Sequence, residues 1–333
     1  MVCFRPMCSR YLVSAANLAK QSGSHLILGG YSRKHVYEIA KDSPVNKPSC
    51  IDFFNKIGIR KPRFTRSEYV EHQQRFGSDW MTKIDLAGEG LSGKNMEEFY
   101  KVKNSSLDYA IAINSLYYYD FYRQFLEICE RRKQLFGDRI LDLGCDIGIT
   151  TCFYAWMNPE SQVFGIDIIK ESTLRAQELA NRLSLKNVKF ECASLDEFEG
   201  TGFDTVVSTA FVHEAIGVKS IASEVDLYKS LTKLAQHTWR YMSDSGVYIS
   251  CERLVDDMTV FTWIDTLRSV GFGIDSSHCG VIKWKEMNEQ SEFRLVLAKN
   301  DLAFGNADID ILCKALRIKR PDKHGIGLLL AGQ

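Results

Sequence analysis

From residue 126 to residue 299 the chain alternates strictly between short apolar strands and amphipathic helices, and nothing else in the sequence narrows its fold so much. Arg139-Ile140-Leu141-Asp142-Leu143 reads as a short buried strand that ends in a glycine turn at Gly144. Ile149 to Asn158 has helical character and is stopped by Pro159; Gln162 to Ile166 is a second strand. A helix over Glu171–Leu183 follows, with Leu174, Leu179 and Leu183 expected on one face. Val188–Cys192 and Phe203–Ser208 are the third and fourth strands. A long helix, about Val218 to Met242, is expected to turn Ile221, Val225, Tyr228, Leu231 and Leu234 inward, before a fifth strand over Val247–Cys251. The helix around Met258–Val270 ends at Gly271, and two strands near Gly280–Lys285 and Phe293–Ala298 join as a hairpin. Such alternation forces a mostly parallel sheet with helices on both faces and an antiparallel last strand.

The turn after the first strand is Leu143-Gly144-Cys145-Asp146-Ile147-Gly148. A turn between a strand and a helix N-terminus is expected to present free backbone N–H groups over the carboxyl end of the sheet. Asp167 ends the second strand, where a carboxylate can accept two ribose hydroxyls. A dinucleotide site needs G-x-G-x-x-G, and Gly144, Asp146, Gly148 fails that spacing. Asp146 would also repel a pyrophosphate, whereas a ligand carrying a sulfonium and an ammonium suits acidic residues at the same mouth.

These residues resemble the first motif of the class I S-adenosylmethionine-dependent methyltransferases, and the elements from 136 to 299 follow in that family's order. The resemblance implies a Rossmann-like, seven-stranded domain over 126–299, with a mainly helical lid and acceptor-pocket region over 1–125. It implies S-adenosylmethionine as cofactor: the loop Gly144–Gly148, with Cys145 and Asp146, around the methionine part and Asp142 supporting its amino group. Asp167 would hold the ribose, Ile168 would pack on the adenine, and Ser194 and Leu195 would sit at the adenine amino edge. Thr209 joins this set at the end of the fourth strand. The family's middle glycine is replaced here by Asp146, and its acidic residue at the adenine edge by Ser194.

Methyl transfer chiefly needs alignment and desolvation of the nucleophile, and a base only where the acceptor keeps its proton near neutral pH. His213 has the pKa range for that base and Glu214 can orient it or bind a cationic acceptor. Glu252 and Arg253 read first as a rim ion pair. In Leu116-Tyr117-Tyr118-Tyr119-Asp120-Phe121-Tyr122 the plain reading is a helix face buried on the sheet, and Tyr118 is its candidate acceptor contact. The paired-glutamate loop and Thr-His-Trp of arginine-directed methyltransferases are lacking.

The 42 Lys and Arg balance 42 Asp and Glu, so no global field draws the chain to nucleic acid. The basic run Arg33, Lys34, Lys41, Lys47, Lys56, Arg60, Lys61, Arg63 and Arg66, interleaved with Phe53, Phe54, Phe64 and Tyr69, reads as a solvated lid face before it reads as a single-strand binding surface. No apolar run approaches a membrane span, the N-terminus lacks a secretory h-region, and the 10 Cys read as reduced thiols; a cytoplasmic protein is expected. No Cys-x-x-Cys pair occurs and no metal is expected. The tail, 300–333, is expected to pack on the core or to make a homodimer contact through Ile309, Ile311, Leu312, Leu316 and Ile318. Together these readings point to methylation of a small-molecule acceptor, with specialised metabolism as the expected setting. The alternatives are a protein or nucleic-acid methyltransferase docking through the basic N-terminal region, and a non-catalytic cofactor-binding module.

Overall fold

A computed structural model of the chain describes residues 49–88, 96–217, 223–254, 256–286, 289–300 and 308–321. Arg33, Lys34, Lys41, Lys47, Ile221 and the segment Gly325–Leu330 lie outside the described residues.

The strands are β1 (Arg139–Leu143), β2 (Gln162–Asp167), β3 (Val188–Cys192), β4 (Phe203–Thr209), β5 (Met242–Glu252), β6 (Gly273–Ile274), β7 (Gly280–Glu286) and β8 (Glu289–Lys299). They form one sheet in the order β3-β2-β1-β4-β5-β8-β6, with β7 paired to β8. β1 to β5 run parallel, and β8 enters antiparallel to β5 as the hairpin partner of β7. The sheet has eight strands because the two residues of β6 add to β8 (Gly273 opposite Lys299), one more than the sequence suggested. The fifth strand begins at Met242, not Val247, because Met242 already pairs with Phe203 ahead of a register shift.

Alternation along the strands splits the interior into two layers. Ile140, Val163, Val207 and Ile249 face one core, while Leu141, Ile166, Val206 and Tyr248 face the other. Over the first core lie α1 (Cys50–Ile57), α5 (Leu107–Arg131), α6 (Ile149–Met157) and the apolar side of α7 (Lys170–Arg182). Between α1 and α5 come α2 (Arg66–Phe76), α3 (Trp80–Gly88) and α4 (Met96–Lys103). The short α8 (Val212–Ala215) follows β4. Over the second core lie α9 (Glu224–Tyr241), α10 (Asp257–Val270) and α11 (Ile309–Leu316), the last burying Leu312, Cys313 and Leu316. Thus Leu312 and Leu316 of the tail pack on this chain's own core, while Ile311 is exposed.

Two inward assignments fail. Leu174 is exposed, because the face that α7 turns inward carries Ser172, Thr173, Ala176, Leu179 and Ala180. In α9 the buried stripe is Leu227, Leu231, Leu234, Thr238 and Tyr241, spaced by four and three residues, which leaves Val225 exposed.

The 25-residue α5 anchors the N-terminal helices. Ser106 caps it by accepting from the Tyr109 N–H, and its stripe Ala110, Phe121, Phe125 and Cys129 is buried. Phe121 stacks on Phe293 of β8 at 4.3 Å and lies 5.2 Å from Trp284 of β7. Among the described residues no helix is long and apolar enough to cross a membrane. Phe121→Ala removes the ring on which the hairpin rests. It should destabilise the fold by about 3–5 kcal/mol in denaturant titration, and a loss under 1 kcal/mol would contradict this anchoring role.

Candidate active site

The site forms where β1, β2 and β4 end side by side. After Leu143 the chain reverses through three left-handed residues, Gly144 (φ +69°), Asp146 (φ +47°) and Gly148 (φ +75°), the last being the N-cap of α6. The N–H groups of Gly144 and Cys145 donate to the Ile166 carbonyl at 2.9 and 3.0 Å, Asp146 N–H to Asp167 Oδ2 at 2.9 Å, and Gly148 N–H to the Cys145 carbonyl at 2.8 Å. The expectation of free N–H donors is therefore wrong for these four. The end of β2 lies one strand away and takes three of them, and the fourth closes the turn. What the mouth offers instead is carboxylate.

Glycine is required twice in this loop. A Cβ on Gly144 would lie 2.3 Å from the Phe211 ring, and one on Gly148 would meet Ala176 and Phe190 at 2.9 Å. Asp167 accepts from Asp146 and, through Oδ1, from the Ile169 N–H at 2.8 Å. Burial and then the nearby Asp146 push its carboxyl up to about 6. Asp142 is 1% exposed, and its Oδ2 accepts from the hydroxyls of Thr150 at 2.8 Å and Thr151 at 2.6 Å. It braces the first turn of α6 from beneath, and burial pushes it up to about 6. Cys145 is buried too, so its side chain packs inside the loop.

Helix α4 forms a roof over this mouth. Lys103 Nζ lies 2.5 Å from Asp146 Oδ2, with 7% of the lysine side chain exposed. Asn104 Nδ2 donates to Asp146 Oδ1 at 2.8 Å and to Ser172 Oγ at 2.9 Å. Tyr100 OH donates to the Glu214 carboxylate at 2.8 and 2.9 Å. No motif pointed to Tyr100, Lys103 or Asn104. The only trace in the sequence is their spacing of three and four residues, on α4 and the turn that ends it.

On the β4 side, Ala210 (φ +56°) turns the chain into Phe211 and α8. Glu252, read earlier as half of a rim ion pair, is instead 1% exposed at the end of β5. It accepts from Ser208 Oγ at 2.5 Å and from the N–H groups of Phe211 and Val212 at 2.8 and 2.9 Å. The carboxyl is drawn inside because it satisfies the backbone donors of that turn; burial pushes it up to about 8. Glu214 and His213 stand at the cleft with 30% and 29% of their side chains exposed, His213 Nε2 3.8 Å from Glu214 Oε1. Desolvation pushes Glu214 up to about 7; burial and then Arg253 push His213 down to about 4, so its ring is neutral at pH 7. Tyr118 packs edge-on to Tyr122 with ring centroids 6.2 Å apart, partly buried against the first core.

The remaining sequence candidates divide. Ile168 is 69% exposed at the end of β2, an open apolar face. Nearby, the exposed Cys192 ends β3, its thiol 3.6 Å from the Ile168 carbonyl. Ser194 spends its N–H and hydroxyl on Glu197 Oε2, at 3.0 and 2.8 Å. Leu195 packs on the second core, its carbonyl accepting from Tyr241 OH at 2.5 Å. Thr209 ends β4 with its hydroxyl buried beside the Tyr154 phenol.

Residues 136–290 match a family model described as "Methyltransferase domain". A tRNA (guanine-N(7)-)-methyltransferase of Rubrobacter xylanophilus is 38% identical over 63 residues, 18% of this chain and 28% of that protein. The chain thus matches little more than a quarter of that relative's length. A putative O-methyltransferase of Nostoc punctiforme superposes with TM-score 0.44 at 12% identity, over 72% of this chain and 74% of that one. A SAM-dependent methyltransferase of Methanosarcina mazei gives TM-score 0.40 at 16% identity, over 52% of this chain and 97% of that one.

The buried Glu252 makes a pH prediction. Its carboxyl ionises near 4.5 when unfolded and near about 8 when folded. The folded chain therefore holds the extra proton between those values, and stability present below pH 4.5 is lost as pH rises through about 8. Denaturant melts across pH 5–8 should show this decline, with a shallower slope in Glu252→Gln. Identical slopes would remove Glu252 as its source.

Proposed function

Because residues 136–290 form a methyltransferase domain of the class I, S-adenosylmethionine-dependent family, we propose that the chain methylates a small-molecule acceptor bearing a dissociable proton. The observation that carries this reading is the set of carboxyls Asp146, Asp167 and Glu214 at the mouth, with Asp142 buried beneath it, where the N–H groups of Gly144, Cys145, Asp146 and Gly148 are already used. Three of them are pushed up by desolvation with too little positive charge nearby, which favours a cationic ligand over a phosphate.

The residues present fit such a cofactor. Asp167 keeps lone pairs for ribose hydroxyls beyond its two backbone bonds. Ile168 offers its exposed side chain to the adenine face, with Ser194 and Leu195 at that edge. The bare Gly144 and Gly148 let Phe211 and Phe190 pack directly on the loop that would wrap the amino-acid part, with Cys145 and Asp146 between them. S-Adenosylmethionine supplies an activated methyl group on a sulfonium whose departure needs no acid from the protein.

The protein's own task is then to seat the acceptor and receive its proton. Glu214, its carboxyl pushed up to about 7, is matched to that task near neutral pH. His213, pushed down to about 4, is the weaker base. This reverses the order in which the sequence ranked them. Tyr100, bonded to Glu214 from α4, covers that side of the cleft, which supports a small acceptor. A second reading, nucleic-acid docking, is favoured by the 55% exposed Phe64 and the nearby exposed Arg60, Lys61, Arg63 and Arg66. A salt-sensitive gel shift lost on replacing those cations would support it.

Calorimetric titration with S-adenosylmethionine and S-adenosylhomocysteine should show micromolar binding of both. Asp167→Ala should weaken each by about 1–3 kcal/mol, and a folded sample that binds neither would sink the proposal. In a screen with labelled methyl donor, Glu214→Gln should cut turnover at least about tenfold with cofactor affinity kept. An unchanged rate would exclude Glu214 as the base.

A further inference from the structure

Lys103 and Asn104, neighbours at the C-terminal end of α4, carry unspent hydrogen-bonding capacity inside the roof of the site. The Lys103 ammonium is nearly buried and bonds Asp146 Oδ2, with the Tyr100 ring 5.0 Å away. Its other N–H donors have no partner among the described residues. Asn104 is 1% exposed, and its Oδ1 is buried with no hydrogen-bond partner. Turning the amide over does not cure this, because it would aim Oδ1 at the Asp146 carboxylate that Nδ2 now serves. A buried acceptor left empty costs about 1–3 kcal/mol, so its presence beside a half-satisfied ammonium points to a group that completes both.

One ligand end has the complementary chemistry: an α-amino acid, with a carboxylate for the ammonium and an ammonium for the carbonyl. A carboxylate entering a mouth that holds Asp142, Asp146 and Asp167 would be repelled unless a cation met it. Lys103 is in place to do so, and Asp146 holds both Lys103 and Asn104 in position.

We propose that Lys103 and Asn104 form the subsite for the amino-acid end of the cofactor, Lys103 Nζ taking the carboxylate and Asn104 Oδ1 the α-ammonium. The inference rests on the reading of the domain as an S-adenosylmethionine site, and gives Asp146, in place of the family's middle glycine, a part in holding that subsite together.

The test compares S-adenosylhomocysteine with 5′-methylthioadenosine, which keeps the nucleoside and sulfur but lacks the amino acid, by calorimetry. Lys103→Met should weaken S-adenosylhomocysteine about 10- to 100-fold, the worth of a charge-assisted hydrogen bond in a desolvated site. It should leave 5′-methylthioadenosine unchanged, and Lys103→Arg should restore most of the loss. An unchanged affinity for S-adenosylhomocysteine, or an equal loss for both ligands, overturns the assignment while leaving the cofactor itself in place. Wild-type protein that binds neither ligand overturns the parent reading, and this one with it. Should Lys103→Met fail to fold, wild-type protein decides with S-adenosylmethionine against its decarboxylated form. A deficit of about tenfold or more for the latter supports the subsite, and equal affinity overturns it.

Discussion

One carbonyl oxygen and one carboxylate at the end of β2 hold the site in shape. The Ile166 carbonyl takes two consecutive N–H groups from the turn after β1, and Asp167 takes the next. Together they bend the loop across the strand boundary and fix Asp146 in a left-handed conformation that a non-glycine residue adopts only under constraint. Fixing Asp146 in turn fixes Lys103 and Asn104, and through them the last turn of α4. The roof is thus tied to the sheet by polar contacts to the loop, while α5 below it is tied by aromatic stacking on β7 and β8.

The opposite wall obeys the same logic with a different group. Glu252 satisfies two backbone donors at the start of α8 and a serine hydroxyl on β4. It costs the fold a desolvated carboxyl and returns a turn that aims His213 and Glu214 at the cleft. Phe211, held in that turn, lies against the bare face of Gly144. The two walls therefore meet through a ring and a missing side chain, and either glycine-to-alanine change or loss of Glu252 would act on both.

Much of this was legible in the sequence, for a physical reason. Strand–helix alternation is repeated many times, so errors at single positions, such as Leu174 or Val225, do not disturb the topology. The glycine turn and Asp167 were readable because backbone conformation and strand ends restrict which residues serve there. The roof was not. Tyr100, Lys103 and Asn104 are ordinary residues at the end of an ordinary helix and in the turn after it, and only the packing of α4 brings them to a loop some forty residues away in sequence. Glu252 was misread for a related reason: a carboxylate followed by an arginine looks like a surface pair until the backbone donors it serves are located. Ser194 and Thr209 sit where the strand ends placed them, yet hydrogen bonding and burial turn their hydroxyls elsewhere.

The sulfur chemistry of the loop gains a meaning from this setting. A methyl sulfonium is an alkylating agent, and the nucleophile it most readily encounters in a protein is a thiolate. Cys145 lies in the glycine turn, Cys251 precedes Glu252 at the end of β5, and Cys192 borders Ile168. Burial, followed by neighbouring carboxylates, holds all three thiols above their ordinary pKa. Burial, reinforced by the acidity that suits the mouth to a cation, therefore keeps its own sulfur protonated, so that in the proposed reaction these cysteines would not compete with the acceptor for the methyl group.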